Sequence, residues 1–145
     1  MMRLKICYAA ALTALLALPA HGAGIGRVKS VVGTATVERS GQKLPVKPGF
    51  VLEQGDRIVT AKGGRVGITF NDNSRFATGP NSRMNIPDFS FDDTTHVGTF
   101  TTQIDKGAIA IISGHIAKSG NDAMKVRTPS ALLGVRGTRF VVEVK

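Results

Sequence analysis

The densest group of potential metal ligands lies in one acidic stretch, residues 87–96. It combines three carboxylates with one imidazole: Asp88, Asp92, Asp93 and His96. Such donors can hold a divalent cation when they converge. One imidazole with carboxylates on a turn-rich segment falls short of a recognisable ligand set, and adjacent carboxylates on an extended chain point to opposite sides. We therefore expect no metal site, and we interpret the stretch as a protruding excursion that folds back through Phe89 and Phe91.

A second oxygen-rich cluster occupies residues 71–74, with the sequence Asn-Asp-Asn-Ser. It resembles the opening of a calcium-binding loop. An EF-hand loop also needs a glycine at its sixth position and a distal glutamate, and neither is present. The cluster therefore predicts a hairpin tip.

The sequence lacks the residue patterns of common enzyme classes. Its single cysteine, Cys7, lies in an apolar N-terminal run, and it contains no Gly-x-Ser-x-Gly elbow, no His-Glu-x-x-His helix and no phosphate-binding loop. His96 and His115 lie near acids and hydroxyls only as often as the composition allows. We therefore expect no catalytic residue, no cofactor and no enzymatic activity.

The N-terminal run has the features of a secretory signal peptide. Two basic residues precede an uncharged apolar segment, residues 6–18, and Pro19 and small residues follow. A transmembrane helix needs about 20 apolar residues, and Pro19 cuts this run short. We predict a cleavable leader over residues 1–23, with cleavage after Gly22 or after Ala23 both open. An uncleaved anchor is the alternative.

The chain is strongly basic, which bears on its partners. Its 145 residues carry 19 Lys and Arg against 10 Asp and Glu, a net charge of +9, and loss of the leader leaves about +7. A basic exported protein meets acidic surfaces such as lipid head groups, anionic glycans or acidic proteins. The cations are scattered and the single tyrosine lies in the leader, so no stacking platform for single-stranded nucleic acid exists. We expect no nucleic-acid partner.

The remaining residues, 24–145, predict one all-β domain. Short stretches rich in Val, Ile, Thr and Phe alternate with glycine-containing turns, and no segment shows apolar residues at helical spacing over three turns. The pattern is typical of a compact antiparallel sandwich or β-roll of short strands and hairpins. Gly55 and Asp56 mark one turn. Residues 105–107 are predicted to close a strand, and the apolar run 108–112 predicts a strand buried on both faces.

The C-terminal stretch, residues 124–144, reads as strand, tight connection, strand. Phe140 falls on one face of the last strand with Val142 and Val144, and that strand must lie in a sheet to cover them. Gly134 and Gly137 are expected to serve backbone geometry in the connection. Three cations are candidate partner-binding residues, with an ordinary structural role as the alternative: Arg127, Arg136 and Arg139.

Four motifs of the chain resemble the FecR domain, the extracytoplasmic module named after the ferric-citrate signalling regulator. They are Gly33–Val37, Leu52–Thr60, Gly64–Phe70 and the closing Thr128-Pro129-x-Ala131-x-x-Gly134-Val135-Arg136-Gly137-Thr138-x-Phe140. The likeness covers nearly all of the predicted domain. Asp72-Asn73-Ser74 replaces the family's usual Asp-Gly-Ser tip, and because Asn tolerates left-handed backbone we expect the turn to survive.

The resemblance implies a periplasmic, non-catalytic binding or sensing module that acts by protein contact in envelope signalling. Its expected partner is an envelope or membrane-spanning protein regulator. The alternative is a structural or adhesion component that binds anionic envelope glycan or lipid. Location at the cell surface or secretion is also open at this point. Membrane-anchored members carry a cytoplasmic anti-sigma segment and a transmembrane helix before this domain; here we see only a leader, and we do not expect direct transmission to a sigma factor.

Overall fold

The computed structural model describes residues 22–145, so the predicted leader lies almost wholly outside the described residues. Strands hold 59% of the described part and helix 4%, which confirms the all-β prediction. The elements are β1 Gly24–Val32, β2 Ala35–Arg39, β3 Gln42–Pro45, β4 Val51–Glu53, β5 Arg57–Thr60, β6 Arg65–Phe70, β7 Arg75–Thr78, β8 Arg83–Phe91, β9 Gly98–Ile112, α1 His115–Ser119, β10 Met124–Arg127, β11 Leu132–Val135 and β12 Arg139–Val144.

The long strand β9 belongs to two sheets in turn. Its first half pairs with β8 on one side and β10 on the other, and its second half pairs with β7 and β12. The β3–β11 sheet has the order β3-β2-β5-β8-β9-β10-β11, and the β4–β12 sheet has the order β4-β1-β6-β7-β9-β12. The pairing is antiparallel as predicted, except that β10 runs parallel to β9.

Gly107 carries β9 from one sheet into the other. Its φ is +91°, and an added Cβ would lie 2.6 Å from the Cα of Ser82, so only glycine fits. The prediction that residues 105–107 end a strand is wrong. The strand bends there and continues, because the backbone keeps partners on both sides of the bend.

The two halves of β9 face each other across the core. A straight strand would separate Phe100 from Ile112 by about 40 Å. Strand β11 lies beside the first half of β9, across β10, whereas β12 pairs with the second half. Residues 136–138 nevertheless join β11 to β12, and a segment of that length spans only about 14 Å. Phe76, in the β4–β12 sheet, stacks on Phe100 with ring centroids 5.4 Å apart. The sheets therefore form one curled half-barrel.

The core fills the inside of this curl. Phe70 contacts the rings of Phe76, Phe89 and Phe100 at centroid distances of 4.7 to 6.0 Å. Phe89 lies on β8 in the long β8–β9 hairpin and packs on the core, as expected for a stretch that folds back through this residue. From β12, Val142 is buried and Phe140 and Val144 are half-buried on the inner face, in the predicted alternation.

The predicted burial of residues 108–112 on both faces is wrong. Residues 108–112 are buried on one face only, since Ile109 and Ile111 face the core while Ala110 and Ile112 are exposed on a face that no described segment covers. Residues 115–119 form the single-turn helix α1, which is too short to show the apolar periodicity of a longer helix. Within residues 22–145, no helix has the length and apolarity that crossing a bilayer requires.

Candidate interaction surface

A shallow trough crosses the outer face of the β4–β12 sheet. Strand register places in one row the residues Ser30, Gly67, Ala77, Ala110 and Val141. Small side chains in the middle of the row leave a depression of about 470 Å³. Val32 and Val141, both lining the trough, are 61% and 68% exposed. The trough is therefore an open, largely apolar depression on a sheet face.

Charged side chains lie in the two rows that border the trough, with two arginines on one border and one arginine and one glutamate on the other. Arg75 and Arg139 both lie opposite Ile112, one on each side of β9. On the other border, Arg65 pairs in register with Val32, and Glu143 lies opposite Ala108. Arg75 and Arg139 make no ion pair within residues 22–145. The border carries net positive charge, so it favours an anionic counterpart.

The three predicted partner-binding arginines lie on different elements. Arg139 borders the trough. Arg127 ends β10 in the other sheet and is exposed. Arg136 lies in the connection 136–138, where its Nη1 donates to Asn121 Oδ1 at 3.1 Å. No hydrogen bond or ion pair among the described residues joins the three arginines, and of the three only Arg139 lies in a row that borders the trough.

The motif residues around Arg136 organise the C-terminal connection. The backbone N–H of Thr128 donates to the carbonyl of Ala131 at 2.9 Å, which closes the turn that contains Pro129. The N–H of Thr138 donates to Ser113 Oγ at 2.8 Å, and the N–H of Ser113 donates to the Thr138 carbonyl at 3.0 Å. These bonds tie the start of β12 to the end of β9.

The two glycines of that connection differ in what they require. Gly137 has φ +60°, in the left-handed region, with only Lys118 carbons near an added Cβ. Gly134 has ordinary backbone, and an added Cβ would lie 3.0 Å from Asp122 Oδ1. Backbone conformation is therefore the constraint at Gly137, whereas at Gly134 an added side chain would meet only the exposed carboxylate of Asp122.

An extensive polar network centres on Arg39, which sequence reasoning did not single out. Its Nε donates to Asp56 Oδ1 at 2.8 Å, its Nη2 to Asp56 Oδ2 at 2.7 Å and its Nη1 to Glu53 Oε1 at 2.9 Å. The hydrogen bond to Asp56 raises the pKa of Arg39. The guanidinium also lies over the Phe50 ring, with its carbon 5.4 Å from the centroid. No local sequence signal links residues that lie 17 positions apart.

Asp56 combines this ion pair with the turn role predicted for it. Its carboxylate is 1% exposed and accepts the N–H of Glu53 at 2.9 Å. The preceding Gly55 has φ +89°, as its place in the turn requires. The network therefore clamps β2 to the β4–β5 turn, and its groups satisfy one another.

The acidic stretch forms the tip of the β8–β9 hairpin. Asp88 lies on β8, while Asp92 accepts the N–H groups of Thr95 at 3.1 Å and Thr94 at 2.8 Å. Those two amides lower the pKa of Asp92. The imidazole of His96 stacks on that of His115 with centroids 4.3 Å apart. In the described part of the chain, no three His, Cys, Asp or Glu side chains converge as metal ligands would.

The predicted tip at residues 71–74 joins β6 to β7, and its carboxylate is fully occupied by protein donors. Asp72 is buried and accepts the N–H and Oγ–H of Ser74, at 3.0 and 2.7 Å, and the N–H of Ile116 at 3.3 Å. Asn73 has φ +66°, so asparagine does take the left-handed position. Asp72 thus holds α1 against the hairpin.

Comparison with known proteins gives one family and one solved structure. The FecR protein family matches residues 56–145, which include the closing motif. Strands β1 to β4 precede that stretch but pair within the same two sheets. No curated protein matches. A solved cell surface anchoring domain shares 30% identity, covers 43% of this chain and 83% of its own length, and superposes with a TM-score of 0.42.

Proposed function

This chain belongs to the FecR protein family, and from that premise we propose that it is a non-catalytic binding module of the cell envelope. It holds a protein partner, an envelope or membrane-spanning regulator, against the outer face of its β4–β12 sheet. The observation that carries this proposal is the open apolar trough with its arginine border. Family membership supports the envelope location, and the predicted leader supplies the route of export.

The chemistry of the trough suits a protein ligand. Contiguous exposed apolar surface on a folded domain commonly marks an interaction site. The small residues Gly67, Ala77 and Ala110 admit side chains from a partner, and the exposed valines supply apolar area. Arg75 and Arg139 can pair with carboxylates beside that apolar contact, which would fix orientation and exclude basic competitors. The proposed partner therefore presents an apolar ridge next to acidic residues.

In-cell crosslinking tests this site with a matched pair of variants. Val141→Glu places a carboxylate in the trough, whereas Val97→Glu changes a valine that is 57% exposed at the β8–β9 hairpin tip. We expect the wild type and Val97→Glu to capture the same dominant envelope protein, and Val141→Glu to lose most of that capture. Equal capture by both variants would show that the trough is not the contact.

Salt separates this function from adhesion to an anionic glycan or lipid. Attraction between exposed charges is strongly screened at high ionic strength, whereas a packed apolar interface weakens less. We therefore expect capture of the protein partner to survive a salt wash. Capture that salt abolishes, with equal loss in all variants, would favour the charge-driven alternative.

A further inference from the structure

The β10–β11 hairpin exposes two leucines at the edge of the β3–β11 sheet. Among the described strands, β11 pairs only with β10. Leu132 is 61% exposed and Leu133 is 40% exposed. In register, Leu133 lies opposite buried Val126, on the inner face, and Leu132 lies opposite Arg127, on the outer face. Both faces of this strand end are therefore apolar and open.

The sequence around the hairpin carries only positive charge. Residues 123–142 contain no Asp or Glu and four cations, namely Lys125, Arg127, Arg136 and Arg139. Arg127 and Arg136 are exposed and flank the hairpin, one before its turn and one after β11. Asp122 lies just outside this segment, with its Oδ1 beside Gly134. Exposed leucines and exposed cations thus occupy the same short piece of chain.

We propose that this hairpin docks on an anionic phospholipid surface. The side chains of Leu132 and Leu133 enter the interface, and Arg127 and Arg136 lie among the lipid phosphates. Amphipathic helices that bind membrane interfaces combine apolar side chains with cations; this hairpin presents the same two kinds of group, and each cation near an anionic bilayer adds to the attraction. The surface lies apart from the trough, so this inference stands or falls independently of the proposed protein contact.

A bilayer fits this hairpin better than a protein face does. Leu132 and Leu133 point to opposite sides of β11, so a single flat protein surface covers one of them. A fluid interface can surround a projecting strand and cover both. The depth of docking is limited, because the unpaired edge of β11 carries backbone N–H and C=O groups that need water or another partner. The leucine side chains therefore reach the head-group boundary while the strand stays wet.

Vesicle co-sedimentation tests the proposal with the chain as purified after export, its N-terminus determined by mass spectrometry. One set of vesicles contains phosphatidylglycerol and phosphatidylcholine in equal parts, and the other contains phosphatidylcholine alone. The test variant is Leu132→Ser with Leu133→Ser. The control is Val51→Ser with Val97→Ser, which removes two valines that are 40% and 57% exposed and lie outside both the hairpin and the trough. All proteins share one N-terminus, so any contribution from residues 1–23 cancels.

We expect the wild type and the control to bind the anionic vesicles, and the leucine variant to bind at least about tenfold more weakly. Arg127→Ala should weaken binding by about fivefold. Circular dichroism should show the same β-type spectrum for every variant. Equal vesicle binding by the wild type and the leucine variant would overturn the proposal. So would retention on anionic polysaccharide with no sedimentation on either vesicle, which would assign the surface to glycan.

Discussion

The ion pair between Arg39 and Asp56 is expected to be a principal determinant of stability in this domain. Arg39→Met keeps an unbranched apolar side chain and removes the charge. The Asp56 carboxylate, 1% exposed, then retains one donor, the N–H of Glu53. Removing one partner of a buried ion pair leaves the other charge without compensation, which is more costly than losing an exposed pair.

The geometry sets the size of this effect. Breaking a buried pair typically costs about 3–5 kcal/mol. The Arg39 side chain is 24% exposed, so water can reach the vacated position. This places the expected loss near the lower end, about 3 kcal/mol. For a domain of this size that loss corresponds to a fall of about 12 °C in Tm.

Arg57 provides the matched control. Its Nη1 lies 3.8 Å from Glu38 Oε2, and both side chains are substantially exposed. Exposed pairs of this kind contribute about 0–1 kcal/mol, so Arg57→Met should leave stability almost unchanged. Both variants remove one arginine and alter the net charge equally. The difference between them therefore reports burial and hydrogen bonding rather than overall charge.

Urea unfolding followed by circular dichroism measures these losses, provided that the slope m stays constant across the variants. The double variant Arg39→Met with Asp56→Asn should regain at least about 1 kcal/mol relative to Arg39→Met, because the neutral amide needs no cation and can still accept the Glu53 N–H. If Arg39→Met and Arg57→Met unfold at the same urea concentration, the assignment of a stabilising role to the buried pair is wrong.

Two further predictions concern the hairpin connections. Gly137→Val forces a β-branched residue to φ +60° and should lower the free energy of unfolding by about 1–3 kcal/mol. Arg136→Ala removes only an exposed hydrogen bond to Asn121 and should lower it by less than about 0.5 kcal/mol. Thermal melts of the two variants measure this difference, and equal Tm values would show that the backbone of Gly137 is not strained by valine. The pKa of Asp92 is lowered in the folded state, so the stability that its carboxylate gives the β8–β9 hairpin tip is fully present above the ordinary carboxyl pKa of about 4. That stability is lost as the pH falls through the folded-state pKa. Protection of the Thr94 and Thr95 amides from exchange, measured against the intrinsic rate at each pH, should therefore fall in acid for the wild type but not for Asp92→Asn, and identical protection profiles would contradict this reasoning.

Much of the local structure could be predicted from the sequence because it depends on neighbours in the chain. The alternation of Phe140, Val142 and Val144 set their common face, since side chains alternate along any strand. The Gly55-Asp56 turn and the asparagine of the Asp72-Asn73-Ser74 tip follow from backbone preferences of single residues. The family could be recognised for the same reason, because its motifs consist of such turns and strand starts.

The candidate site could be predicted only in part. Arg139 was identified, but the trough it borders consists of Gly67, Ala77 and Ala110, which carry no chemistry that a sequence pattern would single out. Arg39 and Asp56 meet because β2 and the β4–β5 turn lie side by side. Ala110 and Ile112 were expected to be buried but are exposed, because an apolar run in the sequence does not reveal whether another layer covers the outer face of the sheet.

The sequence by itself thus determined an all-β chain, the inner face of its last strand, several of its tight turns and its net positive charge. The tertiary structure alone decided that β9 continues through Gly107, that β10 runs parallel to it, and that residues from five strands meet in one trough. The physical reason is the range of the interactions. Alternation and turn geometry act within a few residues, whereas strand pairing and the curl depend on closing the whole sheet around its phenylalanine core.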